Sequence, residues 1–161
     1  MREILFKAIR KDNREWVEGY LIQCEYFGEM RSWISVMNDE TRLRSVSRNI
    51  CDWRAVEVIT ETVCQYTGLT DKNKNKIFEN DVVNIWWKES PKYKAIVEHG
   101  NPNGTYSWGW QLHFIEGFPY NKDILLWVDM EESGAYCEVI GSETDNILTK
   151  SADRSDYTNV D

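Results

Sequence analysis

Nucleophilic and acid–base chemistry would have to come from two histidines, His99 and His113, and four cysteines, Cys24, Cys51, Cys64 and Cys137. A Cys–His catalytic pair needs the ring nitrogen within hydrogen-bond reach of the thiol, a condition set in space and not along the chain. Cys64 with His113 is the pair that could meet it. No flanking pattern points that way, because the GxSxG, Walker A, HExxH and GxGxxG motifs are all missing. The cysteines make no CxxC spacing and have no histidine at zinc-ligand distance in sequence. They read as free thiols of a reducing cytoplasm, and the sequence implies neither a metal nor a cofactor.

The carboxylates Asp71, Glu79 and Asp81 could meet across a hairpin as an acid–base pair or a cation site. Glu79 and Asp81 lie two apart, which puts them on one face of a regular strand. Metal sites and general acids need more converging groups than that, and unpaired carboxylates in a polar turn are rarely buried. Just ahead, Gln65-Tyr66-Thr67-Gly68 could serve as a binding loop through the hydroxyls of Tyr66 and Thr67. The plainer reading gives Tyr66 to the core, Thr67 to a turn hydrogen bond and Gly68 to the backbone. Arg42, Arg44, Arg48 and Arg54 make one locally basic stretch that could hold phosphates. Asp39, Glu40 and Asp52 stand beside them, so a mixed, solvated face is the simpler account.

The aromatic group Trp86, Trp87, Tyr93, Tyr106, Trp108, Trp110 and Phe114 is the best functional lead. Trp108 and Trp110 share one face of a strand, whereas adjacent Trp86 and Trp87 must point to opposite faces. One of that adjacent pair therefore lies outside the shared core. An exposed tryptophan favours an interface, and a second β layer could equally cover it. The candidate binding residues are thus Tyr66, Thr67, Asp71, Trp86, Trp87, Trp108 and Trp110.

The elements that position these residues must fit in 161 residues, enough for one domain or two small ones. Apolar residues make up 42% and aromatics 13%, with eight tryptophans, so a packed core is available. The net charge of −8, from 27 acidic and 19 basic residues, opposes nucleic-acid binding, which needs phosphates neutralised by Lys and Arg. No stretch reaches the ~20 apolar residues of a membrane span, and the charges scattered through MREILFKAIRKDN leave no signal-peptide h-region.

Alternation of apolar and polar residues predicts a strand over 3–10 and a second over 16–24, joined by a turn at 11–14, with Gly19 a bulge or close-approach point. Further strands are expected at 33–37, 54–59, 82–87, 93–98, 106–114, 125–128 and 136–140, and Ile77-Phe78 leads into the turn-like pair Asn80-Asp81. Residues 41–46 are the place for one minor helix. The polar run 70–76 is a hairpin tip, the stretch 99–104 a loop, and the segment after Leu148 a polar tail. About ten short strands separated by turns describe an all-β barrel or sandwich. A weak boundary falls near Thr60.

Glu61 to Asn73, followed by Lys76-Ile77-Phe78-Glu79-Asn80-Asp81-Val82-Val83, resembles the signature of the YopX family of bacteriophages, prophages and related mobile elements. The opening 2–8 with Trp16-Val17-Glu18-Gly19, and the closing Glu138-Val139-Ile140-Gly141 with Asp145-Asn146, agree with it, so the resemblance spans about residues 2–148. The usual Asn-Gly tip is Asn73-Lys74 here, and the usual Glu-Gly-Asp is Glu79-Asn80-Asp81. Asn80 tolerates a positive φ and can keep its turn. Lys74 does so less readily, which sets the sequence against a type I′ tip and puts Asn75 forward for the strained position. The resemblance implies a β-rich protein with an SH3-like barrel and carries no catalytic residue with it.

The expected protein is all-β: an N-terminal β layer over 1–60, an SH3-like barrel within the core at 61–148, and a tail over 149–161. Its expected role is that of a phage- or prophage-encoded, non-enzymatic interaction module in the cytoplasm of a bacterial host. It would bind a protein partner, or self-associate as a homo-oligomer, through aromatic surface. The alternatives are a small barrel that binds nucleic acid by stacking and basic residues, and a hydrolase built from Cys64, His99, His113 or the turn carboxylates.

Overall fold

The computed structural model describes residues 3–36, 55–101, 108–117 and 135–145. The helix expected at 41–46, the arginine stretch 42–54, the strand at 125–128 and the tail over 149–161 lie outside the described residues. So do Cys51 and Tyr106. Among the described residues every named element is a strand except one 3-10 turn, Thr60–Thr62, and no helix is long and apolar enough to cross a membrane. The protein is all-β, and among the described residues its antiparallel sheets are not closed on themselves. The chain divides into two compact units, Met1–Gln65 and Tyr66–Asp161.

The first unit contains β1 (Phe6–Ile9), β2 (Trp16–Tyr26), β3 (Glu29–Ser35), β4 (Ala55–Val58) and the first residues of β5 (Cys64–Thr70). They pair antiparallel in the order β4-β3-β2-β1-β5. The β1–β2 turn is shaped by its own polar side chains: Asp12 accepts from the Asn13 backbone N–H, and Asn13 from that of Glu15. Such local bonds are why Asp and Asn populate turns. Ala8, Ile34 and Val58 form the buried centre, with Phe6, Val17, Leu21 and Val56 around it. The Thr62 hydroxyl accepts from Ile9 N–H at 2.9 Å and donates to the Ile59 carbonyl at 2.7 Å, tying the 3-10 turn to β1.

Two glycines have positional reasons. A Cβ on Gly19 would stand 2.2 Å from the Ser35 carbonyl oxygen, so β2 approaches the end of β3 too closely for any side chain. Gly28 shares the β2–β3 turn with Phe27, and both have positive φ, 81° and 50°. This is the pattern of a two-residue hairpin turn whose twist matches its strands. The turn lies where the sequence offered no Asn-Gly or Asp-Gly signal, so β2 runs to Tyr26 and β3 starts at Glu29, further than alternation alone suggested.

The second unit continues β5 from Tyr66 and adds β6 (Lys76–Phe78), β7 (Asp81–Trp87), β8 (Ser90–Gly100), β9 (Gly109–Glu116) and β10 (Ala135–Ser142). Four of these make a sheet in the order β10-β7-β8-β9. Alternation decides its faces: Val83, Ile85, Ala95, Val97, Leu112, Phe114, Ala135 and Cys137 turn inward onto Ile77 and Leu69 of the β5–β6 hairpin. Val82, Asn84 and Trp86 on β7, and Tyr136 and Glu138 on β10, occupy the opposite face at lower burial. β10 comes later in sequence than β9 but sits beside β7, paired from Ala135 opposite Trp87 to Ser142 opposite Asp81, with a one-residue register shift between Val139 and Gly141.

Candidate functional site

The tip joining β5 to β6 is built around Asp71. Its backbone N–H donates to the Asn75 carbonyl at 2.8 Å, and its own carbonyl accepts from Lys74 N–H at 3.0 Å. Lys74 has φ 69°. The tip is thus a three-residue loop, Lys72 to Lys74, ending in a left-handed residue, and not the type I′ pair. Lys74, not Asn75, takes the strained position. Elsewhere Asn80 has φ 62°, as its type allows.

The Asp71 carboxylate offsets that strain. It is buried, and Oδ1 accepts from the backbone N–H of Asn73 and Asn75 at 2.8 and 2.9 Å. Oδ2 accepts from the Asn75 amide at 3.2 Å and from Val139 N–H at 3.1 Å. A buried carboxylate with this many donors is a satisfied structural group. The Lys72 N–H donates to the Cys137 carbonyl at 3.0 Å. Together these two bonds fasten the tip to the edge of β10 that does not face β7, covering polar groups that an open strand edge would present.

A side-chain cluster follows from that attachment. The rings of Trp86 and Tyr136, opposite each other across β7 and β10, stack with centroids 5.7 Å apart and planes 17° from parallel. Lys72 Nζ lies 4.6 Å from each centroid and 3.0 Å from Glu138 Oε2. The Trp86 indole N–H donates to the same carboxylate at 2.9 Å, and the Asn73 amide donates to Oε1 at 3.3 Å. The Lys72 hydrogen bond, helped by Asn73 and Trp86 and opposed by partial desolvation, holds Glu138 below the ordinary carboxylate range.

The other candidates stand apart from this cluster. Tyr66 is buried against Phe78, with ring centroids 5.5 Å apart. The Thr67 hydroxyl is also buried, donating to the Ile77 carbonyl and accepting from Leu69 N–H. Trp110 packs on the core with its ring edge against His99 at 4.8 Å. Trp108 immediately precedes β9 and is 79% exposed, so it does not share Trp110's face. Trp87 is 38% exposed and closes β7. Trp87 faces Ser90 in register, and Gly100 faces Gly109. Trp87 and Trp108 therefore lie at opposite ends of β8, separated by roughly 30 Å of strand.

Among the described residues of the second unit, the groups suited to catalysis are each engaged in separate contacts. The His113 ring meets Glu98 at 2.7 Å on an exposed surface. Asp81 is buried and accepts from Phe78 N–H at 2.8 Å. Burial, with Asp71, Asp81 and Glu138 nearby, pushes the Cys137 thiol up to about 12, the reverse of what an attacking thiolate needs. Cys64 belongs to the first unit, where its thiol donates to the Thr62 carbonyl. Among the described residues no three His, Cys, Asp or Glu groups stand together as a metal-ligand set.

Sequence reasoning missed Lys72, Tyr136 and Glu138. Their meeting depends on the β7–β10 register, across more than forty intervening residues, and no local pattern encodes that. It also missed Phe27, 90% exposed at the β2–β3 tip, because a bulky residue is a poor turn signal. Compared with known proteins, the chain matches a family model described as YopX protein over residues 5–148. No curated protein matches it.

Proposed function

The chain belongs to the YopX family, and from that premise we propose that it is a phage- or prophage-encoded interaction module working in the cytoplasm of a bacterial host. It binds a protein partner or a second copy of itself through aromatic surface, and carries out no reaction. The observation behind this reading is Trp108, a large aromatic with 79% of its surface open. Covering that area would stabilise a complex, and tryptophan is among the residues enriched where partners bind. The SH3-like barrel implied by the resemblance is part of the same proposal. Its support is the single core shared by the β5–β6 hairpin and the four-stranded sheet.

Light scattering at several concentrations in reducing buffer tests the reading, followed by capture from host lysate, with wild type beside Trp108→Ala and Trp87→Ala. Concentration-dependent association, or a captured protein, that is lost in Trp108→Ala supports it. A monomer that captures nothing, or binding indifferent to both substitutions, would sink it.

A further inference from the structure

The cluster of Trp86, Tyr136, Glu138 and Lys72 has the makeup of a cation receptor that is already occupied. Two ring faces and a carboxylate surround one ammonium, at 4.6, 4.6 and 3.0 Å, which is how aromatic sites hold positive charge. The carboxylate is anchored independently of that ammonium, by the Trp86 indole and the Asn73 amide. The occupant itself is not locked in. Lys72 sits on a hairpin tip held by backbone and Asp71 contacts. Its side chain and that of Glu138 keep 28% and 25% of their surface exposed.

We propose that Trp86, Tyr136 and Glu138 form a receptor for an arginine side chain of a partner protein, and that Lys72 is its internal stand-in. A primary ammonium is compact and strongly hydrated, so it loses much on leaving water for an aromatic face. A guanidinium is planar and weakly hydrated, stacks on aromatic rings, and matches a carboxylate with paired donors. The site therefore prefers arginine to the lysine that fills it. The chain's net charge of −8 favours approach by a basic segment. Lys72 must swing out before arginine enters, so the resident lysine lowers the apparent affinity by the fraction of time it is bound. The inference rests on the interaction-module reading and names the chemistry of its partner.

The probe is acetyl-Gly-Arg-Gly-amide, with the Lys counterpart as control, titrated at low salt into the isotope-labelled full-length chain. The Trp86 indole N–H resonance is the reporter, and the amide spectrum shows that each variant is folded. The expected result is saturable binding tighter for the arginine peptide, about two- to fivefold tighter again in Lys72→Ala, the worth of an exposed cation–π contact. Binding should be lost in Glu138→Gln and in either Trp86→Leu or Tyr136→Leu, whichever is folded. Equal response to both peptides, no gain in Lys72→Ala, or binding that survives loss of the ring overturns the inference. A lysate partner held equally by Glu138→Gln would leave the broader reading standing while this one fell. Arginine binding with no partner and no self-association would do the reverse.

Discussion

Asp71 shows how one side chain can hold a strained turn and an edge strand at once. Its carboxylate serves three backbone N–H groups, those of Asn73, Asn75 and Val139. Removing it leaves those part-buried donors without that acceptor. Asp71→Ala should cost about 2–4 kcal/mol in urea unfolding, the range for losing charged hydrogen bonds and stranding their partners. A change below 0.5 kcal/mol, roughly the level of an ordinary surface substitution, would mean the tip is not held this way. The cysteines offer a second check. With its thiol pushed up to about 12 by burial, Cys137 stays almost wholly protonated at pH 8. Exposed Cys24 should react with a thiol reagent in the native protein, while Cys137 and buried Cys64 react only on unfolding, as peptide mapping would read. Glu138 supplies a pH test. Its folded pKa lies below the ordinary 4.5. Its contribution is therefore present in full above that value and fades as pH falls through the lower folded one. The Trp86 indole resonance should titrate below pH 4.5, and Lys72→Ala should move that midpoint upward. At this scale the sequence disclosed residue types but few roles. Asp71 was visible as a turn residue, whereas its bond to Val139 crosses 68 positions.

Elements were more legible than contacts, because a strand's alternation is local and its neighbours are not. The pattern Val82 to Trp87 announced β7 and its two faces, and Gly19 announced a tight place in β2. Gly19→Ala tests the latter. The added methyl would meet the backbone of Ser35, which cannot rotate away, so a loss of about 3 kcal/mol is expected from denaturant melts. Full retention of stability would show that β3 can yield. What alternation could not supply was extent. β2 and β3 run on to the Phe27-Gly28 turn because both residues adopt positive φ, and phenylalanine gives no warning of that. Nor could it place Trp108 outside β9, since the strand begins one residue later, at Gly109. The apparent pairing of Trp108 with Trp110 on one face assumed a strand start that the chain does not have.

For the molecule as a whole, charge is the property read most directly from composition. At −8, the chain should not bind single- or double-stranded oligonucleotides even at low salt, where phosphate contacts are strongest. Fluorescence anisotropy would show this, and a saturable rise would replace the protein-partner reading with a nucleic-acid one. The class, all-β, was also legible, since many short alternating segments leave few other solutions. The order β10-β7-β8-β9 was not, because it joins Ala135–Ser142 to Asp81–Trp87 across more than forty intervening residues. That order has a consequence on the ribosome. β7 to β9 are made first, and among the described strands it is β10 that pairs the other edge of β7. Ser142 comes 55 residues after Trp87 (142 − 87), an interval of about 3–11 s at ordinary translation speeds. For those seconds the Asp71 tip has no β10 to clasp, and any chain broken off before Ala135 would lack that pairing for its whole life.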